Sequence, residues 1–351
     1  MTLKFTDKPT KLALTLVILT MAAALVLSLS DDREPGRFRG EALSGKTLRY
    51  GELVGADLHA MDLSGADLLR ANLSHANLVS ANLVGANLHG ADLTDANLGK
   101  ANLTGADLSG ADLTRTRMQE VKLNRVDLGD SNLSEANLSG VDLRKEAGIK
   151  LSGAIMSGAI MSSVNLSGVD LAGVDLRGVD LGVASLDGTN LNHADLSHAH
   201  RNSNLAYATL VRANMKMANL SRANFHNANL TGANLTGAEL TQTDFTGAQL
   251  AGATLKLSIA WKANFTNASL SAADLTGVDL SETIALNANL THANLLEADL
   301  RHADLRGADL TRANLTGADL REARLSRANL ANAIFCQTIM PNGATENSGC
   351  R

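Results

Sequence analysis

The chain has 351 residues, of which 45% are hydrophobic but only 3% aromatic, and its formal net charge is −5. The apolar content is therefore mostly Ala, Leu and Val, which favours a core built by stacking identical residues over one of mixed shapes. The negative charge argues against a phosphate-binding surface, which would need a basic face. We therefore do not expect nucleic acid as a partner.

Residues 1–30 have the features of a membrane-targeting segment. Three lysines precede an apolar run from Leu12 to Leu29, and two aspartates and a glutamate follow it. As a helix this run would span about 27 Å, close to the hydrocarbon thickness of a bilayer. The segment is either an uncleaved transmembrane anchor or a signal peptide cleaved after Ser30, and a buried helix of a soluble protein is the third interpretation.

The charges around this segment predict where the rest of the chain lies. Lysines before an apolar helix and acids after it place the N-terminus in the cytoplasm. An anchored chain would then face the periplasmic or extracellular side, and a cleaved chain would be exported. Residues 31–41 form a linker in either case.

From residue 42 to residue 340 the sequence repeats every five residues, as in Ala66-Asp67-Leu68 and Ala71-Asn72-Leu73. Side chains of an extended segment alternate, so Ala and Leu point to one face and the Asp or Asn between them points to the other. The two spacer residues are rich in Gly, Ser and Thr, which suit a bend. Each unit is predicted to form one side and one corner of a coil, with Ala and Leu inside.

Three phenylalanines predict how many sides a coil has. Phe225, Phe245 and Phe265 all occupy the central position of their units and are spaced by twenty residues. If they stack on one another, one coil contains four units. About fifteen coils spaced by about 4.8 Å then give a rod of roughly 70 Å.

This pattern resembles the pentapeptide-repeat family, whose units are written Ala-Asp/Asn-Leu-x-x. The resemblance covers residues 43 to 340. It implies an all-β fold, a right-handed quadrilateral β-helix, which one N-terminal apolar helix precedes here as signal or anchor. The handedness is implied by the family and not by the spacing.

The five-residue register breaks twice. Leu143 and Leu151 are eight residues apart, and the charged residues within 144–150 are costly to place inside, so this stretch is predicted to loop out. Leu196 and Leu205 are nine residues apart, which predicts a bulge near residues 198–202. Separate domains and one stack with two bulges both fit, and the single stack is simpler. Residues 341–351 form a C-terminal tail.

Between the two breaks the small inner position often holds valine in place of alanine. The valines at this position are Val164, Val169, Val174 and Val179. Valine is wider than alanine, so we expect a slightly expanded coil here.

A row of outward acids is one candidate interaction site. Asp279, Asp299 and Asp319 are spaced by twenty residues and should form a ladder of like charges. Some members of the family that the chain resembles present such rows as a mimic of DNA and bind topoisomerases. Six arginines lie among the acids and would screen them: Arg301, Arg306, Arg312, Arg321, Arg324 and Arg327. An exported chain would also not meet a cytosolic topoisomerase.

The two cysteines form a second candidate feature. Cys336 follows a central residue and Cys350 is next to last, so in an oxidising compartment a disulfide between them would tie the tail over the last coil. Such a cover would discourage strand addition at the open edge.

No catalytic, cofactor or metal site is predicted. Carboxylates on a convex rod have no pocket that raises a pKa or excludes water. His193 and His198 occupy the same corner position of consecutive units and should point apart.

The predicted function is therefore a non-catalytic envelope or exported protein that acts as a rigid spacer or as a surface for an unidentified protein partner. It would contact a membrane through residues 12–29 if the segment is uncleaved. The alternative is an acidic, DNA-mimicking inhibitor of a DNA-binding protein such as a topoisomerase.

Overall fold

The computed structural model describes residues 43–144, 148–200 and 203–350. The predicted targeting segment and linker lie outside these residues, so both stay predictions. Within the described ranges no helix is both long enough and apolar enough to cross a membrane. The handedness implied by the family resemblance also stays a prediction.

Each five-residue unit forms one side of a coil and pairs with the unit one coil later. The pairs are parallel backbone bridges between outward residues, such as Asp67 with Asn87, and their regular spacing is twenty residues, so a coil has four sides. We call these sides A to D in chain order. Their outward residues in two late coils are Ile284 and Asp304 on side A, Asn289 and Asp309 on side B, Asn294 and Asn314 on side C, and Asp299 and Asp319 on side D.

The inside of the coil is filled by columns of identical residues. Ala71 and Leu73 are fully buried, and the same holds for most inner positions along the rod. Phe225, Phe245 and Phe265 stack inside side A, with ring centroids 5.1 and 4.9 Å apart and ring planes within 12° of parallel. Each buried Leu or Phe contributes about 1.5–3 kcal/mol, so these columns supply most of the driving force for folding.

The corners repeat one tight turn. The second corner residue has a positive φ, 65° at Gly55 and 59° at His75, for example. The outward Asp or Asn braces this turn, since Asn72 Oδ1 accepts hydrogen bonds from the Ser74 backbone N–H at 3.1 Å and the Ser74 hydroxyl at 2.7 Å. Asp and Asn form such local bonds readily, which explains why they dominate the outward position.

The two register changes alter the pairing distance without ending the coil. Around the first, Asp127 pairs with Lys150, and the spacing is 23 residues. Around the second, Asn190 pairs with Thr209, and the spacing is 19 residues. Residues 145–147 and 201–202 lie outside the described part of the chain. All four sides continue beyond both changes, so the described residues form one solenoid.

The backbone ladder is interrupted next to the first register change. Leu128 N–H donates to Lys150 O at 2.9 Å on side B. One coil later the equivalent bond from Leu151 N–H to Asp170 O is absent from the described residues, and so is the bridge between Lys150 and Asp170.

This interruption opens a cleft of about 720 Å³ on side B, lined by Val169 and Val174 among others. The slightly expanded coil expected from the valines stays a prediction.

The C-terminal tail folds back on the last coil. It forms a short hairpin in which β1 (Thr338–Ile339) pairs antiparallel with β2 (Thr345–Glu346). A disulfide joins Cys336 to Cys350 and holds the end of the tail against the last coil.

Candidate interaction surfaces

The three aspartates predicted to form a ladder are neighbours on side D. Asp279 pairs with Asp299, and Asp299 pairs with Asp319. Two guanidinium groups cross this row: Arg301 Nη2 lies 2.6 Å from Asp299 Oδ2, and Arg321 Nη2 lies 2.5 Å from Asp319 Oδ2. Arg301 Nε also lies 4.0 Å from Asp319 Oδ2 and so links two rungs. The ladder is a chain of ion pairs and not a bare row of acids.

Local hydrogen bonds fix all three carboxylates. The side-chain hydrogen bonds from Arg321 hold the pKa of Asp319 below its ordinary value. Partial burial acts to raise the pKa of Asp299, but the hydrogen bonds from Arg301 outweigh it and lower that pKa as well. Asp279 accepts hydrogen bonds from the backbone N–H and the hydroxyl of the serine two residues later, at 2.9 and 2.5 Å.

The net charge of the ladder is too small to imitate DNA. The first and third rungs are about 10 Å apart, a length over which B-DNA carries about six negative charges. The ladder sets three carboxylates against two guanidinium groups, which leaves a single net negative charge.

Apolar side chains lie on the same part of the surface, one coil before the ladder. Leu257, Ile259 and Trp261 occupy three successive outward positions, and we call them the 257–261 patch. Leu257 is 68% exposed and Ile259 is 40% exposed, although the repeat usually places Asp or Asn at the position of Ile259. Exposed apolar side chains grouped on a rigid element are typical of contacts with another macromolecule.

Charged neighbours hold the indole of this patch in one orientation. Trp261 Nε1 donates to Glu282 Oε1 at 3.2 Å, and Lys262 Nζ lies 4.1 Å from the ring centroid. Lys262 Nζ also lies 3.4 Å from Glu282 Oε2. The hydrogen bond from Trp261 is the largest cause that holds the pKa of Glu282 below its ordinary value. A side chain already held in place loses less entropy when a partner binds.

Glycines in alternate coils let long corner side chains lie along the rod. A Cβ added at Gly277 would lie 2.9 Å from Leu257 Cδ2, and one added at Gly237 would lie 2.6 Å from Met217 Sδ. Both glycines also have a positive φ. These glycines therefore determine how Met217 and Leu257 are presented at the corner between sides C and D.

The histidines do not converge on a metal site. The described part of the chain has no group of three or more His, Cys, Asp or Glu side chains placed to hold an ion. His193 and His198 are exposed at successive corners. His302 Nδ1 lies 3.1 Å from Glu322 Oε2 and takes part in a surface pair.

Four five-residue sides around a continuous core define a β-solenoid built from pentapeptides. The family model described as "Pentapeptide repeats (8 copies)" matches a series of segments between residue 52 and residue 341. The chain therefore belongs to the pentapeptide-repeat family.

Solved structures of pentapeptide-repeat proteins are similar to this chain. Rfr23 from the cyanobacterium Cyanothece is 30% identical, and the match covers 30% of this chain and 85% of Rfr23 with a TM-score of 0.30. HetL, involved in heterocyst differentiation regulation in the cyanobacterium Nostoc, is 30% identical over 77% of this chain and 92% of HetL, with a TM-score of 0.20. QnrB1, a plasmid-mediated fluoroquinolone resistance protein, is 17% identical over 65% of this chain and 89% of QnrB1, with a TM-score of 0.29.

No curated protein matches the chain. The superpositions above are too poor to carry a functional argument, so the family assignment rests on the repeat itself.

Sequence reasoning located the acidic ladder and the cysteine pair, but it missed the 257–261 patch. The signal was present as two departures from the repeat: Ile259 replaces an outward Asp or Asn, and Leu257 replaces a small corner residue.

Proposed function

We propose that this chain is a non-catalytic envelope or exported protein whose solenoid is a rigid spacer that presents side D to a protein partner. The 257–261 patch carries this proposal. Its apolar residues lie where the backbone pairing between coils is complete. The opposite charges of Lys262 and Glu282 and those of the acidic ladder surround them. Aromatic and apolar anchors within a polar rim form the centre of most protein interfaces.

The spacer role rests on the regularity of the rod. The coils from residue 205 to residue 320 leave little freedom for bending, because each of them is joined to the next on four sides. A rod of roughly 70 Å can hold a partner at a fixed distance from its point of attachment.

The envelope location rests on residues 1–30. Lysines, an apolar run of eighteen residues and then acids support export or anchoring with the solenoid outside the cytoplasm. Cell fractionation tests this part. We expect the full-length chain in the membrane fraction or the cleaved chain outside the cytoplasm, and recovery of the full-length chain in the cytosol would overturn the location.

The alternative, a DNA-mimicking inhibitor, is disfavoured by charge. Arg301 and Arg321 neutralise most of the negative charge of the acidic ladder. The resistance function in the name of QnrB1 belongs to a protein that is only 17% identical to this chain. Cytosolic recovery of the full-length chain would revive this alternative.

A pair of matched variants tests the surface. Ile259→Asn with Trp261→Ala restores repeat-like polarity on side D, whereas Ile155→Asn removes a similarly exposed isoleucine (42% against 40%) from side C. We expect chemical crosslinking in cells to give a discrete adduct with the wild-type chain and with Ile155→Asn, and to lose at least about tenfold of it, roughly 1.4 kcal/mol, with the side D variant. Equal adducts from both variants would show that side D is not the contact surface.

A further inference from the structure

Three arginines surround a cleft at the corner between sides A and B. Arg306, Arg324 and Arg327 line it together with Leu286 and Ser326, and its volume is about 510 Å³. Small-molecule sites have volumes of about 300–1,000 Å³. The cleft shares no residue with the 257–261 patch.

The cleft carries excess positive charge on a chain that is acidic as a whole. Arg306 binds Asp304 through two contacts of 2.7 Å, and Arg324 Nη1 lies 3.4 Å from Asp304 Oδ2. Arg327 forms no ion pair with any described residue. Three guanidinium groups against one carboxylate leave an excess of two positive charges, while the net charge of the chain is −5.

Most hydrogen-bond donors of these arginines are not used by acceptors among the described residues. A guanidinium has five N–H groups. Within the described part of the chain, Arg306 alone of the three has a bidentate acceptor, Asp304, which also fixes its orientation. Gly307 leaves room for the Asn287 side chain at the edge of the cleft, since a Cβ there would lie 2.3 Å from Asn287 Oδ1. Leu286, half-buried, adds an apolar wall beside these donors.

We propose that this cleft binds the phosphate group of a small phosphate monoester, with Leu286 contacting the apolar body of the ligand. A monoester carries about −1.5 to −2 charges at pH 7, which matches the excess of the cleft, whereas a sulfate ester or a carboxylate carries one. Guanidinium groups bind phosphate through paired hydrogen bonds, so arginine suits this ligand better than lysine. The acidic composition of the chain, which argued against phosphate, does not describe this corner.

Binding of phenyl phosphate to the purified full-length protein tests the proposal. We expect calorimetry at low salt to show saturable binding at pH 7.5, with phenyl sulfate, of similar shape and lower charge, bound about tenfold more weakly. Arg324→Gln and Arg327→Gln should each weaken phenyl phosphate binding about tenfold, and Arg312→Gln, at the corner between sides B and C, should not.

The affinity for phenyl phosphate should rise from pH 5 to pH 7.5, because the second proton leaves the monoester near pH 6. Asp304 and Asp309 stay ionised over this range, since hydrogen bonds from Arg306 and Thr311 lower their respective pKa values. His302 and Glu282 line the adjoining cleft. Glu282 stays ionised over this range, because the hydrogen bond from Trp261 holds its pKa below the ordinary value.

Three results would overturn the proposal. They are no saturable binding at millimolar phenyl phosphate, equal affinities for the phosphate and the sulfate, and equal effects of Arg312→Gln and Arg327→Gln. Circular dichroism checks that each variant is folded, and Arg327, exposed at a corner, is the variant least able to disturb the core. The side D variant should bind phenyl phosphate normally, so failure here does not bear on the partner surface.

Discussion

The coils from residue 205 to residue 320 and the coils that flank residues 145–147 share one kind of core but differ in their backbone ladders. In the regular coils every side pairs at a spacing of twenty residues. Near residues 145–147 the bridges from Lys122 to Asp142 on side A and from Lys150 to Asp170 on side B are absent from the described residues. Leu151, which lies inside the interrupted part, is nevertheless only 3% exposed. Stacked inner residues thus hold the solenoid together where backbone bonds are lost, because burial outweighs a few net hydrogen bonds.

Removing inner side chains should give the largest difference in stability loss between the regular coils and the interrupted ones. Phe245→Ala empties the middle of a three-ring stack in the regular coils and should cost about 3–5 kcal/mol. Val169→Ala, beside the opening on side B, removes two methyl groups next to solvent and should cost about 1–2 kcal/mol. Denaturant unfolding measures both values, and equal costs would mean that the interrupted coils are packed as tightly as the regular ones.

Deleting residues 145–147 should restore the backbone pairing that is interrupted near them. The deletion restores a spacing of twenty residues between Asp127 and Lys150, which is 23 in the wild-type chain. We expect the bonds between Leu151 and Asp170 to form and to stabilise the chain by about 2 kcal/mol. The control is deletion of an equal number of residues inside a regular coil, such as 251–253, which should unfold the neighbouring coils. A deletion variant that is less stable than wild type would show that the extra residues are not the cause of the interruption.

Acid should weaken the regular coils through their ion pairs. Hydrogen bonds from Arg306 and Arg321 lower the pKa values of Asp304 and Asp319. An unfolded aspartate titrates near pH 3.9, so the stabilisation is complete above that pH and is lost as the pH falls through the lower folded pKa. Each pair contributes about 0.2–1 kcal/mol. The melting temperature should therefore fall between about pH 4 and pH 2.

The double variant Asp304→Asn and Asp319→Asn is the control for this titration. It should be slightly less stable at pH 7 and should lose less on acidification than the wild-type chain. If both chains show the same pH dependence, these pairs do not stabilise the coils.

The smallest effect concerns local opening. The amide hydrogens of Leu151 and Asp170 should exchange with solvent faster than those of Leu171 and Asn190, which donate to Asn190 O and Val169 O at 2.8 and 2.9 Å. Global stability is not involved, because exchange at such sites follows local opening. Hydrogen exchange with fragment resolution checks this, and equal protection would contradict the interruption of the ladder.

Much of the fold could be predicted from the sequence because its signals are local. The alternation of Ala, Asp or Asn, and Leu decides which side chains lie inside, and Phe225, Phe245 and Phe265 indicate the length of a coil. The register changes followed from counting residues between Leu143 and Leu151. Loss of side B pairing could not be predicted this way, since counting shows how many residues are added but not which backbone bonds they displace.

The acidic ladder that first indicated an interaction site shows the same division. Its spacing of twenty residues follows from the repeat, and the structure stacks Asp279, Asp299 and Asp319 accordingly. Its partners do not follow from spacing, because Arg301 reaches both its own coil and the next one. The direction of a long side chain along the rod depends on what the next coil leaves open.

The sequence by itself determined the inside and the outside of the coil, because the alternation of side chains in an extended unit needs no distant contact. The twenty-residue spacing of Phe225, Phe245 and Phe265 added its four sides. Only the tertiary structure decided which charges neutralise one another, where Leu257, Ile259 and Trp261 form one surface, and where Arg306 and Arg324 share Asp304. These features join residues from different coils. Stacking brings such residues together, and no local pattern specifies how their side chains then lie.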